Sequence, residues 1–139
     1  MMLVVDACAV AELLLGRRPA AAVERHIVAH GYELYAPQLL DIEVLSALRR
    51  VVAAGEASTA RAGEAVADLL DLPVERFPHD DLVPRVWALR DNFSAYDATY
   101  LALAETLAEH PAPLLTTDSR FARAVEAHSS VEVLLAGQT

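Results

Sequence analysis

Four acidic residues stand in apolar settings where a carboxylate is costly unless something compensates its charge. Asp6 follows the apolar run 3–5, Glu43 lies among leucine, isoleucine and valine, Asp97 opens a second apolar run, and Asp118 follows a third. Buried carboxylates repel one another, and a divalent cation would convert that repulsion into a binding site. Mg²⁺ and Mn²⁺ prefer such oxygen ligands, and one or two ions can activate water for phosphodiester hydrolysis.

The elements that would position these acids alternate between short apolar strands and longer helical patterns. Strands are predicted at 3–5, 33–36, 74–77, 114–116 and 131–135. Helices are predicted at 7–16, 19–30, 37–55, 58–71, 80–92, 94–109 and 119–128, with starts and stops at glycine, proline and serine. Such alternation is typical of an α/β fold with three layers, α/β/α, around a mostly parallel sheet of four or five strands.

In a parallel α/β sheet, sites form where strands end and loops lead into helices. Asp6 directly follows the first predicted strand, and Asp118 lies just after the strand 114–116. We therefore expect both carboxylates at the same edge of the sheet. Each of them could instead simply cap the helix that follows, and Asp97 could belong to a capping box opened by Ser94.

Composition limits the class of protein. The 139 residues predict a single domain, residues 1–139, and the net charge of −9 comes with eleven arginines and no lysine. A negative net charge argues against nucleic acid as a partner, although bound cations would make the electrostatic potential near them positive. The N-terminal apolar run contains Asp6 and Glu12 and lacks a preceding positive charge, so we interpret it as strand and helix of a cytoplasmic protein without a membrane segment.

Four stretches together resemble the acidic motifs of PIN domains, and more narrowly those of VapC-type toxins. They are Val4-Val5-Asp6-Ala7-Cys8, Glu43-Val44-Leu45-Ser46-Ala47-Leu48, Tyr96-Asp97-Ala98-Thr99-Tyr100-Leu101-Ala102 and Leu114-Leu115-Thr116-Thr117-Asp118. The resemblance implies a PIN fold and an endoribonuclease that depends on Mg²⁺ or Mn²⁺, with Asp6, Glu43, Asp97 and Asp118 as catalytic and metal-binding residues. It also implies a homodimer that acts on RNA as the toxin of a type II module and is inhibited by a cognate antitoxin.

Three further residues are candidates for support of this site. The family usually has serine or threonine where this chain has Cys8, and a thiol donates hydrogen bonds weakly. Thr116 could supply a hydroxyl near Asp118, and Arg120 could contact a phosphate, as could Arg123. Cys8 could alternatively be a nucleophile, but a small buried thiol is the interpretation we favour.

Other residues have more ordinary interpretations. His26 and His30 have the spacing of a zinc pair, but without a third ligand a solvated helix face is favoured. The pairs Arg17-Arg18 and Arg49-Arg50 could contact phosphates, although most surface arginines do not. Tyr96 and Tyr100 flank Asp97 as core or stacking residues, and the core is favoured for both.

Rival functional classes fit less well. Receiver domains also place an acid at a strand end, but they need a lysine, and this chain has none. Phosphatases of the haloacid-dehalogenase type need a second aspartate at the position of Cys8. A PIN-like scaffold that binds RNA or protein without cleaving is the non-enzymatic alternative.

Overall fold

The computed structural model describes residues 1–107 and 110–137, and it contains one parallel five-stranded sheet. The strands are β1 (Leu3–Val5), β2 (Leu34–Pro37), β3 (Val74–Phe77), β4 (Leu114–Thr116) and β5 (Val133–Leu135). Their spatial order is β3-β2-β1-β4-β5. The predicted mostly parallel sheet is confirmed, and in the described residues every strand pairing is parallel.

Strand β1 is the middle of the sheet and of the core. Its three side chains are fully buried although successive residues point to opposite faces, so both faces are covered. Leu3 is in register with Leu34 of β2, and Val5 is in register with Leu115 of β4. Helices on both faces make the predicted α/β/α layering.

Within the described ranges the chain forms seven α-helices and one short 3₁₀ turn, Asp80–Leu82. The helices are α1 (Ala7–Leu15), α2 (Ala20–Ala29), α3 (Leu39–Ala53), α4 (Thr59–Asp71), α5 (Val83–Ala88), α6 (Ala95–Thr106) and α7 (Ser119–His128). None of them combines the length and apolar character needed to cross a lipid bilayer.

Local chemistry explains where several helices begin and end. The Ser58 and Ser94 hydroxyls accept hydrogen bonds from backbone amides in the first turns of α4 and α6, as their sequence positions predicted. Gly16 ends α1 with a φ of 67°, a conformation that glycine adopts without the steric cost of a side chain.

Two predicted boundaries were wrong. Pro37 was expected to open a helix, but it ends β2 in register with Phe77, and α3 begins at Leu39. The predicted helix 80–92 is shorter, because the chain leaves α5 after Ala88 and turns to bury Leu89 and Phe93. The predicted end of α6 at residue 109 lies outside the described residues.

Helix α6 crosses the interior of the molecule. Residues 98–104 are all buried, which is typical of a helix covered on every side rather than an amphipathic surface helix. It packs against β1 and β2. Asp97 in its first turn is therefore held at the margin of the core.

Candidate active site

Asp6 and Asp118 follow the two adjacent strands at the centre of the sheet. The Asp6 amide donates to the Leu115 carbonyl at 3.2 Å, so the end of β1 is joined directly to β4. The direction in which successive strands are added changes here: β2 and β3 lie on one side of β1, whereas β4 and β5 lie on the other. In open α/β sheets this switch point is the usual place for a site.

Both aspartates also cap helices. Asp6 Oδ1 accepts from the Ala9 amide at 2.9 Å, and Asp118 Oδ1 accepts from the amides of Arg120 and Phe121 at 2.9 and 3.3 Å. The capping alternative is thus correct as a description of their contacts. Each cap uses one carboxylate oxygen, so Oδ2 of each residue is left outside the cap.

Asp97 and Glu43 approach this edge from helices. The Asp97 amide donates to the Ser94 hydroxyl at 3.1 Å, which fixes the first turn of α6, and the Asp97 side chain is partly exposed. Glu43 is half-buried in the second turn of α3, the helix that follows β2. Both acids lie near the edge that carries Asp6, because the charge of Asp97 acts on Asp6 and the charge of Glu43 acts on Asp97.

The charges of these acids act on one another. Burial raises the pKa of Asp6 to about 7, against opposing hydrogen bonds from the Thr116 hydroxyl and the Ala9 amide, and the charges of Asp97 and Asp118 add to the rise. Burial likewise raises the pKa of Asp97 to about 6, with contributions from Asp118 and Glu43. The four predicted residues therefore form one electrostatic cluster.

The cluster suits a hydrated divalent cation. Its donors are carboxylate oxygens, which Mg²⁺ and Mn²⁺ prefer, and its mutual repulsion is what a cation would relieve. Within the described chain, however, no three His, Cys, Asp or Glu side chains converge closely enough to form a ready-made cage. Mg²⁺ is commonly held by one or two carboxylates and several waters, so the donor set fits such an ion better than a fully dehydrated one.

Thr116 and Arg120 both lie beside the acidic cluster. The Thr116 side chain is fully buried, and its hydroxyl accepts from the Asp118 amide at 3.0 Å, which leaves its proton for the carboxylate of Asp6. The exposed Arg120 lines a groove of about 350 Å³ together with Asp97 and Asp118.

The expectation of a buried Cys8 was wrong. Cys8 is exposed in the first turn of α1, where it lines a groove with Asp118 instead of facing the core. Desolvation in that groove and the negative charges of the four acids raise the pKa of its thiol to about 12. The thiolate is therefore scarce at neutral pH, which argues against the nucleophile alternative.

The two tyrosines beside Asp97 have opposite environments. Tyr100 is a core residue as expected, and its buried hydroxyl forms no hydrogen bond of standard geometry in the described structure. Its pKa is raised by burial, then by the charge of Glu43 and a hydrogen bond toward that carboxylate, which places the hydroxyl beside the acidic cluster. Tyr96 was expected in the core and is 59 % exposed, because its position on the first turn of α6 faces outward.

Sequence reasoning also gave too little weight to Arg50. It lines one groove with Glu43 and Tyr96 and another with Cys8 and Asp118, so it stands on two sides of the cluster. A signal was present, since residues 43, 46 and 50 share one face of a helix. Arg17, by contrast, is engaged by Glu12 and Glu56.

The two histidines lie at the end of α2. His30 directly follows this helix, and its Nδ1 lies 2.7 Å from the carbonyl oxygen of His26 in the last turn. Both imidazoles are partly buried, whereas a solvated helix face was expected.

Comparison with known proteins places these features in a family. The family model described as PIN domain matches residues 3–127. Ribonuclease VapC1 of Mycobacterium tuberculosis is 44 % identical over 122 residues, which cover 87 % of this chain and 89 % of that protein. Ribonuclease VapC12 of the same species is 35 % identical over 133 residues, covering 96 % and 99 % of the two chains.

A solved structure shows the same fold. The crystal structure of PAE2754 from Pyrobaculum aerophilum superposes with a TM-score of 0.66 and covers 96 % of this chain and 83 % of that one. At 23 % identity this likeness concerns the fold alone.

Proposed function

Because this chain belongs to the PIN-domain family, we propose that it is an endoribonuclease of the VapC type that hydrolyses RNA phosphodiester bonds in the cytoplasm. The relatives named as ribonucleases VapC1 and VapC12 support this activity, since they match most of the chain at 44 % and 35 % identity. By the same likeness, its biological role is that of the toxin in a type II toxin–antitoxin module.

Asp6, Glu43, Asp97 and Asp118 are the proposed catalytic residues, and they would hold one or two Mg²⁺ or Mn²⁺ ions directly or through water. When bound, such an ion supplies activation of a water nucleophile and stabilises charge on the leaving 3′ oxygen. The observation that carries this proposal is the cluster of carboxylates at one sheet edge, where burial and the neighbouring charges raise the pKa values of Asp6 and Asp97.

The protein's own groups would keep the site rigid. The Ala9 amide fixes Asp6 through Oδ1, and the first amides of α7 fix Asp118 in the same way. The Thr116 hydroxyl joins the two, since it accepts from the Asp118 amide and donates toward Asp6. Positioned carboxylates lower the cost of arranging reactants for in-line attack on phosphorus.

Cleavage of a long RNA by the purified chain tests the proposal. We expect cleavage with Mg²⁺ or Mn²⁺, none with EDTA, and a loss of roughly 10³-fold or more in Asp97→Asn, equivalent to about 4 kcal/mol. Asp68→Asn is the matched control, because Asp68 is exposed on α4 and lies outside the cluster. Cleavage that persists in EDTA, or full activity in Asp97→Asn, would refute the proposed function.

The acidic edge also suggests how the toxin would be inhibited. We expect a cognate antitoxin to insert basic side chains into this edge. Arginine suits it best, because its planar guanidinium forms two parallel hydrogen bonds with one carboxylate. An antitoxin whose inserted segment is net acidic would contradict this expectation. Homodimerisation is part of the same proposal, and the sedimentation behaviour of the purified chain tests it.

A further inference from the structure

The groove beside Glu43, here called the Tyr96 groove, joins features that the carboxylate cluster does not use. Its volume is about 350 Å³, and its walls are formed by Leu39, Ile42, Glu43, Ser46, Arg50 and Tyr96. Tyr96 and Ile42 expose 59 % and 65 % of their surface there, although apolar side chains of this size are usually covered. The groove therefore offers an aromatic ring directly next to the proposed cleavage site.

Arg50 supplies the groove with positive charge. Its Nη1 donates to the Ser46 hydroxyl at 3.1 Å, one helical turn earlier, which directs the guanidinium along the groove. No acidic side chain lies within ion-pair distance of Arg50 in the part of the chain that the structure describes. Arg17, Arg76 and Arg85 all have such partners, so Arg50 keeps its hydrogen-bonding capacity although the chain carries twenty acids.

The position of Arg50 connects this groove with the carboxylates. It also lines the neighbouring groove with Cys8 and Asp118, on the other side of α3's exposed face. A single strand of RNA that crosses the carboxylate cluster would therefore contact Glu43 and then Arg50. An unpaired arginine and an exposed aromatic ring are the two groups that recognise a nucleotide, by its phosphate and by its base.

From this juxtaposition we infer that the Tyr96 groove binds the nucleotide next to the scissile phosphate of single-stranded RNA, with its base on Tyr96 and its phosphate on Arg50. The inference rests on the proposed function, because it takes the carboxylate cluster as the place of cleavage. A single strand is required because its bases can be splayed out onto an aromatic ring, whereas the bases of an A-form duplex are stacked inside it.

Neighbouring residues on the same helix allow a matched test. Arg49 and Arg50 are both exposed, but Arg49 lines neither groove. Binding of a labelled single-stranded RNA of about ten nucleotides would be measured by fluorescence anisotropy in EDTA, so that no cleavage occurs. We expect Arg50→Ala to weaken binding by about tenfold and to reduce the salt dependence by about one phosphate contact, while Arg49→Ala stays within about twofold of wild type.

The contribution of Tyr96 has a different signature. Tyr96→Ala should weaken binding by about five- to a hundredfold with an unchanged salt slope, because stacking involves no counterion release. Tyr96→Phe keeps the ring and should bind within about twofold of wild type. Because Tyr96 is exposed, its replacement leaves the core intact.

Steady-state cleavage then separates this inference from the proposed function. If the wild type cleaves RNA and Arg50→Ala raises KM much more than it lowers kcat, the groove is supported. If the wild type cleaves RNA but Arg50→Ala and Tyr96→Ala bind the probe as tightly as Arg49→Ala does, the inference is overturned and the proposed function stands. The groove would then bind something other than RNA, such as a protein segment. Probe binding that depends on both residues without cleavage would refute the proposed function and support the groove as an RNA site. Duplex RNA that competes as well as the single strand would overturn the inference.

Discussion

Asp41 and Glu43 lie two residues apart on α3, yet their electrostatic surroundings differ. Asp41 accepts hydrogen bonds from Arg76 Nε at 2.8 and 3.0 Å, whereas Glu43 has no arginine within ion-pair distance in the described structure. Helix α6 repeats the contrast. Arg85 donates to both oxygens of Glu105, at 2.7 and 3.0 Å, while Asp97 at the other end is surrounded by further carboxylates.

The contrast shows where the fold compensates acidic charge and where it does not. Arginines reach Asp41 and Glu105 on the flanks of the sheet, so these two carboxylates are neutralised within the protein. At the carboxyl edge of β1 and β4, burial and the charges of neighbouring carboxylates instead raise the pKa values of Asp6 and Asp97. An uncompensated cluster of this kind is costly in the metal-free protein, and a bound cation would recover that cost.

The largest effect should come from removing the most buried charge of the uncompensated group. Asp6 has a pKa of about 7 in the folded protein, above its ordinary value of 3.8, so the folded state binds the proton more tightly. The stability from this protonation is fully present below pH 3.8 and is lost as the pH rises through about 7. The shift corresponds to at most about 4 kcal/mol at high pH.

Asp6→Asn in EDTA should therefore be more stable than wild type at pH 8, and the difference should shrink toward pH 5. Asparagine keeps the side-chain oxygen that caps α1, so the helix start is preserved. Urea unfolding from pH 5 to pH 8 measures the difference between the two proteins. A difference independent of pH, or a more stable wild type at pH 8, would contradict the electrostatic description of the cluster.

Removing the charge of an acid that has an arginine partner should lower the stability of the protein instead of raising it. Asp41→Asn removes the charge that Arg76 pairs with, so we expect a loss of about 2 kcal/mol in the free energy of unfolding. RNA cleavage should stay within about twofold of wild type, because Asp41 lies outside the cluster. The urea midpoint and a cleavage assay at a temperature where both proteins are folded measure the two effects. A large loss of cleavage would show that the two groups of acids are not separate.

The smallest effect concerns the buried hydroxyl of Tyr100. Tyr100→Phe should raise the stability of the metal-free protein by about 1 kcal/mol, because the buried Tyr100 hydroxyl faces the Glu43 carboxylate without forming a hydrogen bond of standard geometry. Tyr35→Phe is the control, since the Tyr35 hydroxyl donates to Glu33 at 3.1 Å at the opposite edge of the sheet. Thermal melts in EDTA should show a higher midpoint for the first variant and an unchanged or lower midpoint for the second. The reverse order would mean that the Tyr100 hydroxyl is satisfied.

Much of this arrangement is accessible from sequence because it depends on local patterns. Periodicity and breakers predict each strand and helix, and the placement of Asp6 and Asp118 follows from the rule that parallel strands end at one edge. The boundary at Pro37 was wrong because a proline that ends a strand and one that opens a helix have the same fixed φ.

The rest depends on contacts between distant residues. Arg76 pairs with Asp41, which lies 35 positions earlier in the chain. The sequence therefore could not indicate which acids would be left without an arginine partner. Cys8 and Tyr96 were expected to be buried because their neighbours are apolar. Both lie in the first turn of a helix at the sheet edge, where one side faces a groove rather than the core.

The central claim, that these carboxylates act together as a cation site, is tested most directly by titrating Mn²⁺ into the metal-free protein calorimetrically. Two buffers with different ionisation enthalpies would give the number of protons released. At pH 6 we predict binding with release of about one proton, because Asp6 and Asp97 must deprotonate, and a smaller release at pH 8. Asp97→Asn should abolish binding and Asp41→Asn should retain it. Absence of binding, or binding that releases no proton and is unaffected by Asp97→Asn, would contradict the account.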